Sequence, residues 1–374
     1  MQVIVVGGGI FGLAQAWAAA KRGHRVQVIE RSQNACGASI RNFGMIWPIG
    51  QMPGEPLEVA LESRELWLQV ARESGIWVNP CGSLHVAYRE DEWAVIEEFA
   101  DRSSQFGYRC ELLTPESIQA RTPVVKPQGL LGGLFSSTEL CVDPPTTIRK
   151  LPAWLASAFP IEFQFGRQVI AAETGKVKLA DGKVLEADKV IICGGADFET
   201  LFPDLLQSAG MRRCKLQMLK VAPEKSNLKI GMHLASGLTL RHYKNFQVCP
   251  SLEKLKKRIA EETPELDRYG IHVMASQNEL GEIILGDSHL YDHEIEPFDS
   301  AYIDDLILRE LGRWLQLPNW NIVQRWHGIY AKLDQGYVFQ REPLSDVHVC
   351  TGLGGSGMTL SFGVAERFWR NGCR

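Results

Sequence analysis

Several signals that would assign a protein to a broad class are missing from this sequence. No apolar run approaches the roughly 20 residues that span a bilayer, and the formal charge of -4 leaves no broad basic field. The nine cysteines lie far apart without CxxC or metal-ligand spacing, and HExxH and GxSxG motifs are absent. These absences argue against a membrane span, nucleic-acid binding, a metal centre and serine hydrolysis.

The cysteine count also bears on the compartment. An odd number of cysteines and the lack of a charged, then apolar leader before the first strand both speak against secretion. We therefore expect a soluble, cytoplasmic protein with reduced thiols.

The composition that is present is typical of a packed globular protein. The 374 residues are 45% hydrophobic and 22% charged, and domains usually contain roughly 100–200 residues, so two domains are expected. Periodicity predicts helices over Pro56–Ser74, Ser251–Glu262 and Ser300–Leu315, and strands over Gly237–Tyr243 and Gly270–Ser276.

The first thirty residues have the pattern of a nucleotide-binding unit. A buried strand, Gln2–Val6, leads through a glycine-rich turn into a helix from Ile10 to Arg22, and a second strand ends in Glu30. Gly7, Gly9 and Gly12 form GxGxxG, which places a helix N-terminus against phosphates. Glu30 follows Gly12 by 18 residues, where a carboxylate accepts hydrogen bonds from ribose hydroxyls and repels a 2′-phosphate.

A second glycine-rich turn separates FAD from NAD as the expected dinucleotide. The segment from Gly352 to Thr359 follows a predicted strand and precedes a helix, which repeats the logic of the N-terminus. A further segment, from Ala38 to Gly44, lies shortly after Glu30. NAD sites rarely need either feature, so FAD is favoured.

Together with Cys141-Val-Asp-Pro and Gly194-Gly195-Ala196, these motifs resemble the D-amino-acid oxidase superfamily, which includes glycine oxidase and sarcosine oxidase. The resemblance implies an α/β fold, with a discontinuous Rossmann-type FAD-binding domain built on a parallel sheet. An inserted α+β substrate domain would contain a mainly antiparallel sheet. The expected bounds are 1–80, 140–211 and 325–374 for the FAD-binding domain, and 81–139 and 212–324 for the substrate domain.

The resemblance also implies which residues border FAD. Some would hold the pyrophosphate, ribose and adenine, and others would close over the flavin, whose reduced ring is stabilised by backbone N–H groups at a helix N-terminus. The expected set is Gly7, Gly9, Ile10, Phe11, Gly12, Glu30, Arg31, Ser39, Arg41, Asn42, Phe43, Gly44, Val169, Gly194, Gly195, Gly354, Gly355, Gly357, Met358 and Thr359. For Arg41 and Ser39, a solvated surface position is the alternative.

Two departures from the family pattern concern the flavin and the substrate. Gly328 stands where the sarcosine oxidase branch carries the cysteine that attaches flavin, so FAD is expected to be non-covalent. Tyr330 stands where many relatives carry the arginine that forks a substrate carboxylate. Either another cation holds the substrate anion, with Arg241, Lys244, His272 and Lys332 as candidates, or that anion is not a carboxylate. The segment Ile283–His289 and the Tyr330 region resemble a branch associated with aminophosphonate breakdown.

Other substrate-side residues come from spacing. Thr239, Arg241 and Tyr243 would share one face of the predicted strand, which aims Arg241 and Tyr243 at a pocket or leaves them as surface and packing residues. Trp47 follows the flavin segment and would wall the pocket or simply fill the core.

The expected reaction is hydride transfer from an amine-bearing carbon to flavin N5, imine hydrolysis, and reoxidation by oxygen to hydrogen peroxide. The substrate would be a small zwitterionic amine with a carboxylate or phosphonate. One alternative is oxidation of a 2-hydroxy acid or polyol phosphate with His272 or His289 as general base. Others are an NAD-dependent dehydrogenase and a non-enzymatic nucleotide-binding protein. No metal is expected.

Overall fold

A computed structural model of the chain describes residues 1–222 and 228–371. Cys373 therefore lies outside the described residues. In chain order the strands are β1 (Gln2–Val6), β2 (Arg25–Glu30), β3 (Met45–Ile46), β4 (Val78–Asn79), β5 (Ser83–Ala87), β6 (Cys110–Leu113), β7 (Gly132–Ser136), β8 (Leu140–Val142), β9 (Ile161–Phe165), β10 (Val169–Glu173), β11 (Lys176–Leu179), β12 (Val184–Glu186), β13 (Lys189–Ile192), β14 (Arg212–Val221), β15 (His233–Ala235), β16 (Met274–Gln277), β17 (Ile283–Gly286), β18 (Leu290–Asp292), β19 (Ile322–Lys332), β20 (Phe339–Leu344) and β21 (Val347–Thr351). The α-helices are α1 (Ile10–Ala20), α2 (Glu55–Ser74), α3 (Glu90–Ser103), α4 (Pro115–Arg121), α5 (Pro144–Ala158), α6 (Pro203–Ser208), α7 (Leu252–Glu262), α8 (Pro264–Arg268), α9 (Ala301–Trp314) and α10 (Gly357–Arg370).

A six-stranded sheet holds both glycine-rich turns. Its order is β20-β21-β13-β1-β2-β9, and all neighbours are parallel except the edge pair β20 and β21. Strand β1 lies in the interior, and its Val3, Ile4 and Val5 are fully buried, as expected for a strand covered on both faces. The turns after β1 and β21 therefore leave the same edge of the sheet, because parallel strands end on the same side.

Helices α1, α2 and α10 pack closely on one another beside this sheet. Every residue of α1 is buried, and its alanines let the helix approach its neighbours. The Trp369 indole donates to the Gln15 side chain at 2.8 Å, which ties α10 to α1. A Cβ at Gly363 would lie 2.3 Å from the Val59 carbonyl oxygen, so α10 and α2 meet backbone to backbone. This packing fixes the position at which α10 begins.

The second large sheet has nine strands and is antiparallel apart from the β5–β15 pair. Strands β14 and β19 pair over their whole length, with Tyr330 opposite Cys214 and Lys332 opposite Arg212. Two small antiparallel sheets, β3-β8-β4 and β10-β11-β12, complete the fold. The predicted fold class is confirmed, a parallel sheet plus a mainly antiparallel one. The domain bounds predicted from the sequence place residues 325–332 in the FAD-binding domain, whereas these residues belong to β19, which pairs with β14 in the antiparallel sheet. The domain bounds stay a prediction.

The predicted strand over Gly237–Tyr243 is wrong. Residues Gly237–Arg241 form a 3-10 helix, closed by hydrogen bonds from Thr239 N to Ser236 O and from His242 N to Thr239 O. The residues Gly237 to Leu240 are all buried, so the polar and apolar alternation does not mark two faces of a strand. The predicted strand over 270–276 begins only at Met274.

The turn after β1 is the tightest point of the fold, and it generates a test of stability. A Cβ at Gly12 would lie 1.9 Å from the Gly7 carbonyl oxygen. We expect Gly12→Ala to lower the thermal unfolding midpoint, because overpacking of this kind costs about 1–3 kcal/mol.

Gly312→Ala is the matched control, because a Cβ there would meet nothing within 4 Å and the residue lies inside α9. Alanine in a helix interior is favoured over glycine by up to about 1 kcal/mol, so the midpoint should hold or rise. Equal midpoints for the two variants, measured by circular dichroism, would contradict the close approach.

Candidate functional site

The site begins at the turn between β1 and α1. Gly7 has a φ of +106°, and a side chain there would collide with the Cys193 carbonyl oxygen at 2.4 Å. The turn delivers the first N–H groups of α1, which have no partner within the helix, toward open space. One of them, Ile10 N–H, donates to Ser39 Oγ at 3.0 Å. The predicted Ser39 is thus part of the turn and not a solvated surface residue.

Glu30 sits at the end of β2 and braces the same turn. Its Oε2 accepts a hydrogen bond from Gly8 N–H at 2.7 Å, and its Oε1 accepts one from Ser32 N–H at 2.9 Å. The residue is only 8% exposed. An ionised carboxylate has about four lone-pair positions, so Glu30 keeps acceptor capacity for ribose hydroxyls beside its two backbone contacts.

A cavity of about 890 Å³ connects the two glycine-rich turns. That volume suits a large ligand, because pockets for small molecules and cofactors span about 300–1,000 Å³. Among the predicted cofactor residues, the cavity is lined by Gly7, Gly9, Ile10, Phe11, Gly12, Glu30, Arg31, Ser39, Arg41, Val169, Gly194, Gly195, Gly354 and Gly357.

The cavity fits a dinucleotide because glycines stand where side chains would fill it. A Cβ at Gly357, the first residue of α10, would meet no protein atom within 4 Å, and the same holds at Gly195. Both residues line the cavity. The N-termini of α1 and α10 therefore open onto one space, and each favours a negatively charged group.

Six predicted cofactor residues do not line the cavity, namely Asn42, Phe43, Gly44, Gly355, Met358 and Thr359. The Asn42 amide donates to Ala38 O and Ser39 O and accepts from Gly44 N–H, so it shapes its own loop. Met358 O accepts the Trp67 indole N–H at 2.8 Å. Sequence motifs mark such supporting residues together with the lining ones, because both are needed for the turn.

The two predicted arginines lie at the cavity in different ways. Arg31 pairs with Asp197 at 2.6 Å and is largely exposed. Arg41 donates to the His327 carbonyl oxygen at 3.3 Å. A Cβ at Gly328 would lie 3.0 Å from the Arg41 carbonyl oxygen, so a side chain would be crowded at this position.

The antiparallel sheet brings Tyr330 to the second glycine-rich turn. Tyr330 lines the cavity, and its hydroxyl oxygen would lie 3.5 Å from a Cβ at Gly355. Tyr291 and Tyr330 face Cys214 from the strands on either side of β14. Burial raises the pKa of Tyr330 well above its usual value, so its hydroxyl stays protonated.

Lys332, one of the cations predicted to bind the substrate anion, lies beside Tyr291 and the second glycine-rich turn. It lies two residues after Tyr330 on β19, and its Nζ donates to the Tyr291 hydroxyl at 3.1 Å. Its backbone also forms an isolated antiparallel β-bridge with Leu353 in the second glycine-rich turn. Burial, with Lys244 and Arg212 nearby, lowers the pKa of Lys332. Lys244 itself is exposed.

Arg241 does not present a free guanidinium to a substrate. Its Nε pairs with Asp267 at 3.0 Å, and its two terminal nitrogens donate to Leu238 O and Ile271 O. The strand that would have aimed it at a pocket is a 3-10 helix, so the residue instead ties that helix to its surroundings. The expectation of Arg241 as an anion anchor finds no support in this geometry.

A buried aromatic wall lies beyond the second turn, formed by Trp47, Tyr243, His85 and His233. The Trp47 ring centroid lies 5.5 Å from that of His85, 5.8 Å from His233 and 6.0 Å from Tyr243. Burial lowers the pKa of His85 to about 3 and that of His233 to about 4, so both are neutral. The backbone N–H of Trp47 donates to Thr359 Oγ1 at 2.9 Å, which ties the wall to α10.

A histidine cluster, which the sequence did not predict as a group, consists of His242, His272 and His289 with Asp287 beside them. The His242 ring centroid lies 3.8 Å from that of His272 and 4.4 Å from that of His289. His272 Nε2 and Asp287 Oδ1 are 3.2 Å apart. Burial lowers the pKa of His272 well below its usual value, so it does not act as the predicted cation. Four residues from three segments give no local motif to find.

Comparison with known proteins agrees with this geometry. A family model described as FAD dependent oxidoreductase matches residues 2–368. A D-amino acid dehydrogenase of Helicobacter pylori strain J99 is 40% identical over 253 residues, covering 52% of this chain and 60% of the relative. A glycine oxidase of Geobacillus kaustophilus is 26% identical over 204 residues, 52% and 54% of the two chains. These matches span at most about 60% of the curated relatives' length.

Solved structures show the same fold over nearly the whole chain. Glycine oxidase from Bacillus cereus superposes with a TM-score of 0.77 at 18% identity, covering 100% of this chain and 95% of that one. L-proline dehydrogenase from P. horikoshii gives 0.75 at 20% identity, with 99% and 93% covered. Among the described residues, no helix combines the length and apolar character needed to cross a bilayer. Because the family model matches residues 2–368, nearly the whole chain, the chain belongs to the FAD-dependent oxidoreductases of the D-amino-acid oxidase family.

Proposed function

We propose that the chain oxidises a small zwitterionic amine, either an amino acid, an N-methyl amine or an aminophosphonate. The imine product hydrolyses to a carbonyl compound and ammonia or an amine, and oxygen takes up the electrons as hydrogen peroxide. The observation that carries the proposal is Lys332, a half-buried cation held beside Tyr330 and the second glycine-rich turn. The names of two relatives, a D-amino acid dehydrogenase and a glycine oxidase, support an amino-acid-like substrate.

The residues around the cavity would hold FAD without a covalent bond. Ser39 and the N-terminus of α1 would face the diphosphate, Glu30 the ribose, and the backbone near Val169 the adenine. The N-terminus of α10 would stabilise negative charge on the reduced ring. When bound, FAD supplies the two-electron acceptor of the reaction.

The chain's own residues would bind and orient the substrate. Lys332 would pair with its carboxylate or phosphonate, replacing the arginine that Tyr330 displaces. The aromatic wall would exclude water and offer ring faces to the amino group. An amine enters the reaction with its own lone pair once it is neutral, so no side chain needs to act as general base.

A second candidate, oxidation of a 2-hydroxy acid or polyol phosphate, is favoured by one observation. An alcohol needs a general base, and His272 lies 3.2 Å from Asp287 and is neutral. The NAD-dependent dehydrogenase considered from the sequence is not retained, because the chain belongs to an FAD-dependent family.

Anaerobic titration of the purified protein distinguishes the two substrate classes. We expect amino acids, N-methylglycine or aminophosphonates to bleach the flavin band near roughly 450 nm, because they deliver two electrons with no other acceptor present. Hydrogen peroxide should then form when air is admitted. Bleaching by 2-hydroxy acids or glycerol phosphate alone would favour the second candidate, and no bleaching by either panel would contradict an oxidase of small molecules.

Lys332→Gln tests the anion anchor. A hydrogen bond to a charged group contributes about 1.5–3 kcal/mol, so we expect KM for the anionic amine to rise roughly 10- to 100-fold while kcat changes little. The charged form of Lys332 exists below its lowered pKa. Substrate affinity should therefore fall as pH rises through that pKa, at a lower pH than for an ordinary lysine.

The matched control is Lys244→Gln, which removes the same charge from an exposed neighbour. Exposed ionic contacts contribute about 0.2–1 kcal/mol, so KM should rise less than about fivefold. Equal KM effects in the two variants, or an unchanged pH profile in Lys332→Gln, would show that Lys332 does not bind the anion.

Glu30→Gln tests the ribose contact. The amide keeps one acceptor for Gly8 N–H but loses the charge that binds hydroxyl donors, so FAD affinity should fall roughly 10- to 100-fold. Fluorescence titration of the flavin-free protein measures this. Glu186→Gln on the exposed strand β12 is the control, and an affinity in Glu30→Gln equal to that control would contradict the role.

A further inference from the structure

The histidine cluster brings three imidazoles together from three segments, and Asp287 lies beside two of them. His242 follows the 3-10 helix, His272 precedes β16, and Asp287 and His289 follow β17. One ligand nitrogen from each of the three imidazoles lies within 4.8 Å of the others. The backbones of His272 and Asp287 exchange two hydrogen bonds, at 2.9 and 3.3 Å, which fixes their relative position.

Polar atoms of this cluster are buried without hydrogen-bond partners. His272 is 2% exposed and Asp287 is 4% exposed. His272 Nε2 and Asp287 Oδ1 lie 3.2 Å apart, but this contact lacks hydrogen-bond geometry, so neither atom has a hydrogen-bond partner, and neither does His272 Nδ1. A buried polar group without a hydrogen-bond partner destabilises the folded state, and more so when it is charged. Two cations whose charges act on these histidines have partners outside the cluster: Lys332 donates to the Tyr291 hydroxyl, and Arg241 pairs with Asp267.

The tautomer of His289 suits metal binding. Its Nδ1 lies 3.2 Å from the Gly270 carbonyl oxygen, which can only accept, so Nδ1 carries the proton. The lone pair then resides on Nε2, which lies 3.8 Å from Asp287 Oδ2. An imidazole oriented by a backbone carbonyl in this way is the common arrangement of histidine ligands.

We propose that the cluster binds one divalent transition-metal ion of the zinc class, held by the imidazoles of His242, His272 and His289, with the Asp287 carboxylate as fourth ligand. Three nitrogens and one oxygen suit zinc and its neighbours, whereas magnesium and calcium take oxygen ligands. Tetrahedral ligands at about 2.0–2.1 Å from zinc stand about 3.4 Å apart, so side-chain rotations that draw the three imidazole nitrogens together from within 4.8 Å would close the site. The ion would give the unpartnered atoms of the cluster a partner.

The other group of potential ligands, Glu342, Asp346 and His348, already has a cation. Lys189 Nζ lies 2.7 Å from Asp346 Oδ1 and 3.0 Å from His348 Nε2. That group therefore serves as the control site.

The test is the metal content of the flavin-loaded protein, purified through a tag that contains no histidine. After incubation with zinc chloride and gel filtration, mass spectrometry of the elements should find about one zinc per chain. His272→Gln and His289→Gln should each lower zinc affinity by at least about tenfold, with the flavin absorbance per chain unchanged. His348→Gln should retain the metal.

Substoichiometric zinc in the unmodified protein, or loss of zinc in His348→Gln and not in His272→Gln, would overturn the proposal. Should the cluster variants lose flavin along with metal, X-ray absorption of the unmodified zinc-loaded protein decides, because three imidazole ligands are expected and coordination by oxygen alone would refute the site. Metal content is measured without turnover, so failure of the proposed amine oxidation leaves this result unaffected.

Discussion

The fold depends on the close approach of backbone to backbone in the turn after β1. The Gly7 carbonyl oxygen occupies the place where any side chain on residue 12 would stand, and Cys193 O crowds Gly7 in the same way. This turn lets α1 start directly above the strand and expose its N–H groups to the cavity. Because β1, β13 and β21 are parallel neighbours, their turns open at the same edge, and the second glycine-rich turn shares that space.

The antiparallel sheet supplies the remaining wall. Strand β19 passes both the segment that contains Arg41 and the second glycine-rich turn. Gly328 lies against Arg41, and the Tyr330 ring lies against Gly355 in that turn. The pairing with β14 aligns Tyr330 and Lys332 on one face by the two-residue period of a strand. A half-buried lysine, buried neutral histidines and aromatic rings thus gather on the far side of the second turn.

The histidine cluster gives the substrate side an unusual character. Buried imidazoles and a carboxylate rarely stand together without a partner, because each unsatisfied polar group opposes folding. In this family the chemistry resides in the flavin, and the cluster lies apart from the cofactor lining. A bound ion would make this part of the antiparallel sheet rigid and add positive charge near Lys332.

The amino-acid sequence alone predicts the βαβ unit, both glycine-rich turns, the acidic residue Glu30 and the α/β class, because each depends on residues close together in the chain. Hydrogen bonds of a turn and the period of a helix are local, so spacing reveals them. Only the tertiary structure shows which partners Arg241 binds and that the histidines form a cluster. The segment from Gly237 to Arg241 alternates polar and apolar residues, but it is buried and forms a 3-10 helix instead of a strand. His242, His272 and Asp287 come from distant segments, and such neighbours leave no fixed spacing in the sequence.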